Sequence, residues 1–254
     1  MPLTGKVALV TGSSSGIGKA IAIRLAHEGC DVCVNYHREE AAAQDTVQQI
    51  QGLGRKAIAV QADMGASTDV QAMVGRCETE LGGLDIMVNN AGVEIKAPFI
   101  EVTEEHWDLV VHTNLKGVFF GMQAAARYMV PRRSGRIINI SSIHEDATMP
   151  GNAPYCAAKG GVRMLMRTVA VELAPYGITV NNVAPGAIMT PINRDTLSDP
   201  AKVAALEAVI PMARIGTPDD VAGVVVFLAS DDAAYVTGAT YFVDGGMIRQ
   251  FSNE

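Results

Sequence analysis

Short apolar, β-branched runs alternate with stretches of helical spacing along almost the whole chain, and this alternation limits the fold more than any other feature. After its lysine, Lys6-Val7-Ala8-Leu9-Val10 is continuously apolar, as a strand covered on both faces must be. From Gly16 onward, Ile17, Ile21, Leu25 and Ala26 fall along one helical stripe. The same reading predicts strands at 31–36, 57–61, 84–88, 136–140, 178–183 and 240–243. Helices are expected at 39–53, 67–81, 103–129 and 154–174. Repeated strand–helix–strand units imply an α/β fold, a doubly wound parallel sheet with helices on both faces. No linker or repeat divides the chain, so one domain over 1–254 is expected. The segment 185–216 is rich in Pro, Gly, Asn and Asp and reads as a long lid-like loop.

Charge and cysteine usage exclude several partners. The net charge of −7 argues against nucleic acid or an anionic membrane. No apolar run approaches the roughly 18 residues that span a bilayer, and the start lacks a signal-peptide core. A cytoplasmic protein is therefore expected. Cys30 and Cys33 lie on a strand-like run, where residues three apart face opposite sides, so they read as core thiols and no metal site is expected.

The first strand runs into Thr11-Gly12-Ser13-Ser14-Ser15-Gly16-Ile17-Gly18, and a helix follows. Glycines allow a tight turn and close approach of backbone to a pyrophosphate, whose charge a helix N-terminus stabilises. Gly12, Ser14, Ser15, Gly16, Ile17 and Gly18 are the candidate dinucleotide contacts. The second strand ends in Tyr36-His37-Arg38 with no carboxylate to bind a ribose 2′-hydroxyl. His37 and Arg38 suit a 2′-phosphate, which favours NADP, alone or alongside NAD; an exposed basic turn balanced by Glu39 and Glu40 is the competing reading. Asp63, followed by Met64, fits either an acceptor for the adenine amino group or a plain turn residue. Asn89-Asn90-Ala91-Gly92 fits both sheet stabilisation and contact with a flat ligand through Asn90, Ala91 and Gly92.

Tyr155 and Lys159 are four apart on a predicted helix and share a face, with Ser142 closing the preceding strand. A free tyrosine ionises near pH 10, so a catalytic one needs a cation beside it to act as a base near neutrality.

In this order, the glycine turn, Asn89-Asn90-Ala91-Gly92, Asn114, Ser142, Tyr155 with Lys159, and Pro185-Gly186 resemble the classical short-chain dehydrogenase/reductase family over essentially the full length. The resemblance implies a single-domain Rossmann fold with strand order 3-2-1-4-5-6-7 and usually a homotetramer. It implies Tyr155 as acid/base, Ser142 as holder of the reacting oxygen, and Lys159 as partner of the nicotinamide ribose that lowers the Tyr155 pKa. It further implies Asn114 as holder of a proton-relaying water, with Asn90, Val183, Pro185, Gly186, Ile188 and Thr190 at the cofactor.

The strings Ser142-Ile143-His144-Glu145, 186–193, Ile210-Pro211-Met212 and Asp244-Gly245-Gly246-Met247 resemble the bacterial glucose 1-dehydrogenases. That resemblance implies a sugar held by Glu94, Ser142, His144, Tyr155, Asn193 and Asp199, and oxidation of D-glucose at C1 to the 1,5-lactone. Directional polar groups suit a pyranose, whereas a steroid or acyl chain calls for apolar lining. A 3-oxoacyl-(acyl-carrier-protein) reductase is the nearest alternative, with Arg132-Arg133 as part of a docking surface. A non-catalytic dinucleotide sensor is a remote one, since such proteins commonly lose the Tyr and Lys kept here.

Overall fold

The computed structural model describes residues 3–249, apart from the side chains of 192, 194 and 195. Seven parallel strands, β1 (Val7–Val10), β2 (Asp31–Tyr36), β3 (Ala57–Gln61), β4 (Ile86–Asn89), β5 (Gly135–Ile140), β6 (Ile178–Pro185) and β7 (Thr240–Val243), form one sheet. Their order is 3-2-1-4-5-6-7, the order that the family resemblance implies. The chain changes direction between β1 and β4, and in such sheets the crevice at the carboxyl ends of these strands is where ligands bind.

Helices α1 (Gly16–His27), α2 (Glu40–Gly52), α3 (Ser67–Arg76), α4 (Glu104–Val111), α5 (Gly117–Arg132) and α6 (Ala153–Leu173) connect the strands. They are followed by α7 (Arg194–Leu197), α8 (Pro200–Ala208) and α9 (Pro218–Ala229). Successive side chains of the central strands go to opposite faces. Ala8, Val10, Ile138 and Ile140 pack with Ile21, Leu25 and Val225 on one side. Leu9, Met87 and Ile137 pack with Met122, Val162 and Met166 on the other. Cys30 joins the first cluster and Cys33 the second, so the C-x-x-C pair is split across the sheet as its spacing requires. All four cysteines are free.

Three features depart from the sequence reading. The helix expected at 103–129 is broken by a π turn, His112–Lys116, between α4 and α5. The segment 185–216 is largely helical, containing a 3-10 turn, Pro191–Asn193, and then α7 and α8. Helix α9 lies where the sequence reading predicts no element: its Val-Val-Val run is β-branched, yet the Thr217–Asp220 capping box and Pro218 at its start set a helix. Among the described residues, no helix is long and apolar enough to cross a membrane. No metal-binding cluster occurs among them either.

Candidate active site

A cavity of about 880 Å³ opens at the carboxyl ends of the strands. Its phosphate-side wall is the turn after β1, which three elements hold in place. Thr11 Oγ1 accepts from the amides of Asn90 (2.8 Å) and Ala91 (2.9 Å), and Asn90 Nδ2 donates back to the carbonyls of Thr11 (2.8 Å) and Gly12 (3.2 Å). Asn35, inside β2, accepts from the Gly12 amide at 2.9 Å. Gly12 and Gly16 have φ of 60° and 55°, the left-handed region that glycine enters without strain. Ser15 occupies the N-cap of α1 without capping it, so the first amides of α1 have no side-chain acceptor. Uncapped amides beside glycines that add no side-chain bulk fit a pyrophosphate.

Along the rest of the cavity lie Ser14, Ile17, Gly18, Tyr36, His37, Arg38, Asp63, Met64, Ala91 and Gly92. Pro185, Gly186, Ile188 and Thr190 complete this dinucleotide-shaped half. His37 and Arg38 are exposed at its rim. Asp63 also holds its own turn, accepting from the Gly65 amide at 2.8 Å. Val183 is fully buried in the core and does not line the cavity.

The chemical half is built from β5, the turn after it and α6. Ser142 is extended, and its Oγ accepts from the His144 amide at 3.1 Å. Tyr155, on the first turn of α6, is in hydrogen-bond contact with Ser142. Burial pushes the Tyr155 hydroxyl up to about 12; the Ser142 hydrogen bond pulls it down, and the Glu94 carboxylate pushes it up again. One turn on, Lys159 is buried, donates to the Ile140 carbonyl at 2.9 Å and stands 5.5 Å from the centre of the Tyr155 ring. Burial pulls this ammonium down to about 8, opposed by the Glu145 carboxylate. The phenol is thus raised rather than lowered as expected beside Lys159: desolvation is the largest influence and outweighs the Ser142 hydrogen bond, leaving Tyr155 protonated.

Asn114 lies within the π turn and is fully buried. Both ends of its amide are engaged by Val93: Oδ1 accepts from the Val93 amide and Nδ2 donates to the Val93 carbonyl, each at 2.8 Å. A π turn turns one extra residue inward, and such turns are frequent at functional sites.

Of the six residues expected to hold a sugar, five line the cavity, Ser142 and Tyr155 among them. Glu94 accepts from Asn152 Nδ2 at 3.3 Å and pairs with Lys96 at 3.3 Å. His144 stands edge-on to Tyr155, ring centres 6.4 Å apart, its Nδ1 3.2 Å from the Ala147 carbonyl. Asn193 donates to the Ile188 carbonyl at 2.8 Å. The cavity lining does not include Asp199, which caps α8 by accepting from the amides of Ala201 and Lys202. Sequence reasoning missed Thr11 and Asn35, whose signal was a polar side chain inside or at the end of an apolar strand. It also missed the apolar lining by Leu109, Met149, Leu206 and Met247.

Comparison with known proteins agrees with this architecture. The family model described as "Enoyl-(Acyl carrier protein) reductase" matches residues 12–248. The chain is 47% identical over 246 residues to 3beta-hydroxysteroid dehydrogenase 1 of Eggerthella lenta, covering 96% of this chain and 94% of the relative. It is 43% identical to glucose 1-dehydrogenase 2 of Bacillus subtilis, with 96% and 95% covered. It is 46% identical to a 3-oxoacyl-[acyl-carrier-protein] reductase of Staphylococcus aureus, with 95% and 98% covered. A gluconate 5-dehydrogenase from Burkholderia cenocepacia, solved in complex with NADP and tartrate, superposes with a TM-score of 0.93 at 38% identity, 98% of each chain covered. With its sheet order, glycine turn and relatives all in agreement, the chain belongs to the classical short-chain dehydrogenase/reductase family of oxidoreductases acting on CH–OH groups.

Proposed function

We propose that this protein is an NAD(P)-dependent dehydrogenase that oxidises an aldose, D-glucose foremost, at C1 to the 1,5-lactone. The observation that carries the reading is convergence: Glu94, His144 and Asn193, far apart in sequence, line the same cavity as Ser142 and Tyr155. The bound dinucleotide supplies the hydride acceptor and a positive ring charge. Ser142 Oγ holds the reacting oxygen, and Tyr155 Oη exchanges the hydroxyl proton with it. Because burial keeps Tyr155 protonated, the phenol is ready to donate in the reductive direction; in oxidation it needs added positive charge to become the base. Lys159 holds its ammonium one turn away, and Asn114 fixes the backbone leading to Glu94.

His144→Ala and Asn193→Ala each lower kcat/KM for glucose by a factor equivalent to about 1–3 kcal/mol, and leave NADP affinity unchanged. Initial rates on aldoses, 3-oxoacyl thioesters and 3β-hydroxysteroids check this. A protein that turns over thioesters or steroids well and ignores glucose at high millimolar concentration overturns the sugar assignment. One observation favours a second reading, an apolar secondary alcohol: Leu109, Met149, Leu206 and Met247 share the cavity wall. Arg132, bonded to the Tyr128 hydroxyl, and Arg133, which donates to the Pro175 carbonyl, both stay exposed, so the acyl-carrier reading keeps their charge on the surface.

NADP is the favoured cofactor, with NAD also used, because the end of β2 offers Arg38 and His37 to a 2′-phosphate. Arg38→Ala weakens NADP by about 1–3 kcal/mol and leaves NAD almost unchanged. Fluorescence titration with each reduced cofactor checks this, and equal losses for both remove Arg38 from that role. We further propose a cytoplasmic homotetramer. Exposed Trp107 on α4, Phe119 on α5, and Met164 and Val171 on α6 support burial against neighbouring subunits.

A further inference from the structure

Glu145 is assigned no part in the chemistry above, yet its side chain has no exposure to solvent. It ends the 3-10 turn Ile143–Glu145 that begins directly after Ser142. Its Oε1 accepts from Thr240 Oγ1 on β7 at 2.7 Å, and its Oε2 accepts from Asn182 Nδ2 on β6 at 3.1 Å. Arg163 Nε lies 3.6 Å from Oε1, and the same guanidinium bonds Asp146. Arg163 is one turn beyond Lys159 and two beyond Tyr155 on α6, so the carboxylate meets the catalytic helix on one side and the Ser142 turn on the other. Behind it, Asn182 is the last of three aligned amides: Asn89 Nδ2 donates to Asn139 Oδ1 at 2.9 Å, and Asn139 Nδ2 donates to Asn182 Oδ1 at 3.0 Å. Every amide in this row points its donor toward Glu145.

Burying a carboxylate is expensive unless donors and cations compensate it. A neutral glutamine would hold most of these contacts, so the charge itself calls for an explanation. Resting on the Tyr155–Lys159 reading, we propose that Glu145 is a positioning residue: it clamps the Ser142 turn to α6 and supplies the counter-charge that keeps the buried Lys159 an ammonium. The charged groups that face it from α6 are Arg163 and Lys159, with His144 and Asp146 on its own turn. β6 and β7 present only the neutral Asn182 and Thr240. Burial draws the Lys159 ammonium down to about 8 while Glu145 pushes it upward, which agrees with this role.

Glu145→Gln tests it. The amide oxygen still accepts from Asn182, and the Thr240 hydroxyl can turn to accept from the new NH₂. Without the charge, Lys159 loses its proton at lower pH, so the alkaline limb of kcat/KM moves down by about half a pH unit or more. Stability reads the same change without substrate. A lysine whose folded pKa is about 8, against 10.5 unfolded, binds fewer protons folded than unfolded between those values, so the Lys159 contribution to stability, read as the difference in melting temperature from Lys159→Met, grows with rising pH across that window. In Glu145→Gln this gain begins at lower pH, and in a Lys159→Met background the difference disappears. A folded Glu145→Gln protein with both profiles unmoved overturns the proposal. If Glu145→Gln does not fold, Thr240→Val, which removes one donor and keeps the charge, lowers kcat several-fold with KM held, and an unchanged kcat overturns the clamp. Failure of the dehydrogenase reading is seen separately, as a Tyr155→Phe protein that keeps its rate.

Discussion

Tyr155→Phe lowers kcat by about a thousandfold and leaves dinucleotide affinity within about twofold, general acid–base catalysis contributing typically 10²–10⁴. The substitution removes one hydroxyl and keeps the ring, so packing against His144 is preserved. Ser142 keeps the His144 amide as a donor and is not left without a partner. The loss therefore falls on proton exchange, and kcat and kcat/KM drop together. Steady-state rates and a cofactor titration on the same preparation separate the two quantities. A variant retaining more than a tenth of the wild-type rate removes Tyr155 from the reaction.

Gly18→Ala is the second substitution of large effect, and it acts through the cofactor turn. A Cβ there stands 2.4 Å from the Gly12 carbonyl oxygen and 2.5 Å from Asn90 Nδ2, two atoms already bonded to each other across the turn. The first is backbone, and the second ends an amide side chain that two hydrogen bonds hold in place, so the start of α1 must shift away from the turn and from Asn90. The expected cost is about 3 kcal/mol, at the upper end for overpacking. That corresponds to a fall of about 6–12 °C in melting temperature for a chain of this size. NADPH affinity falls more than tenfold, because the displaced backbone is the phosphate wall. Thermal melts and a fluorescence titration check both, and wild-type values in either would show the turn to be looser than its hydrogen bonds indicate.

The strands and most helices were legible because a parallel sheet leaves an unmistakable trace, continuous apolar runs such as Ala8–Val10 beside stripes such as Ile21 and Leu25. The strand order needed the family resemblance, since apolar runs do not say which neighbours pair. The π turn at Asn114 leaves no local signature; only the contact with Val93 makes the inward residue visible. Asp199 carries a local signal for the role it has in the structure. Asp followed by Pro at a helix start is a capping signal, and the carboxylate is spent on α8. Glu94, His144 and Asn193 meet only because three loops converge above the sheet, which periodicity cannot reveal.

The row of amides also bears on how the sheet chooses its alignment. β4, β5 and β6 are buried on both faces, so greasy contacts alone would tolerate a strand sliding by two positions, which preserves the facing of every side chain. In the native pairing Asn89, Asn139, Asn182 and Thr240 sit directly opposite one another. Were β5 to slip by two, Asn139 would face Met87 and Val180, stranding buried polar groups at about 1–3 kcal/mol each. The same side chains that lead to Glu145 thus discriminate the correct assembly of the sheet from its nearest misfolded alternative.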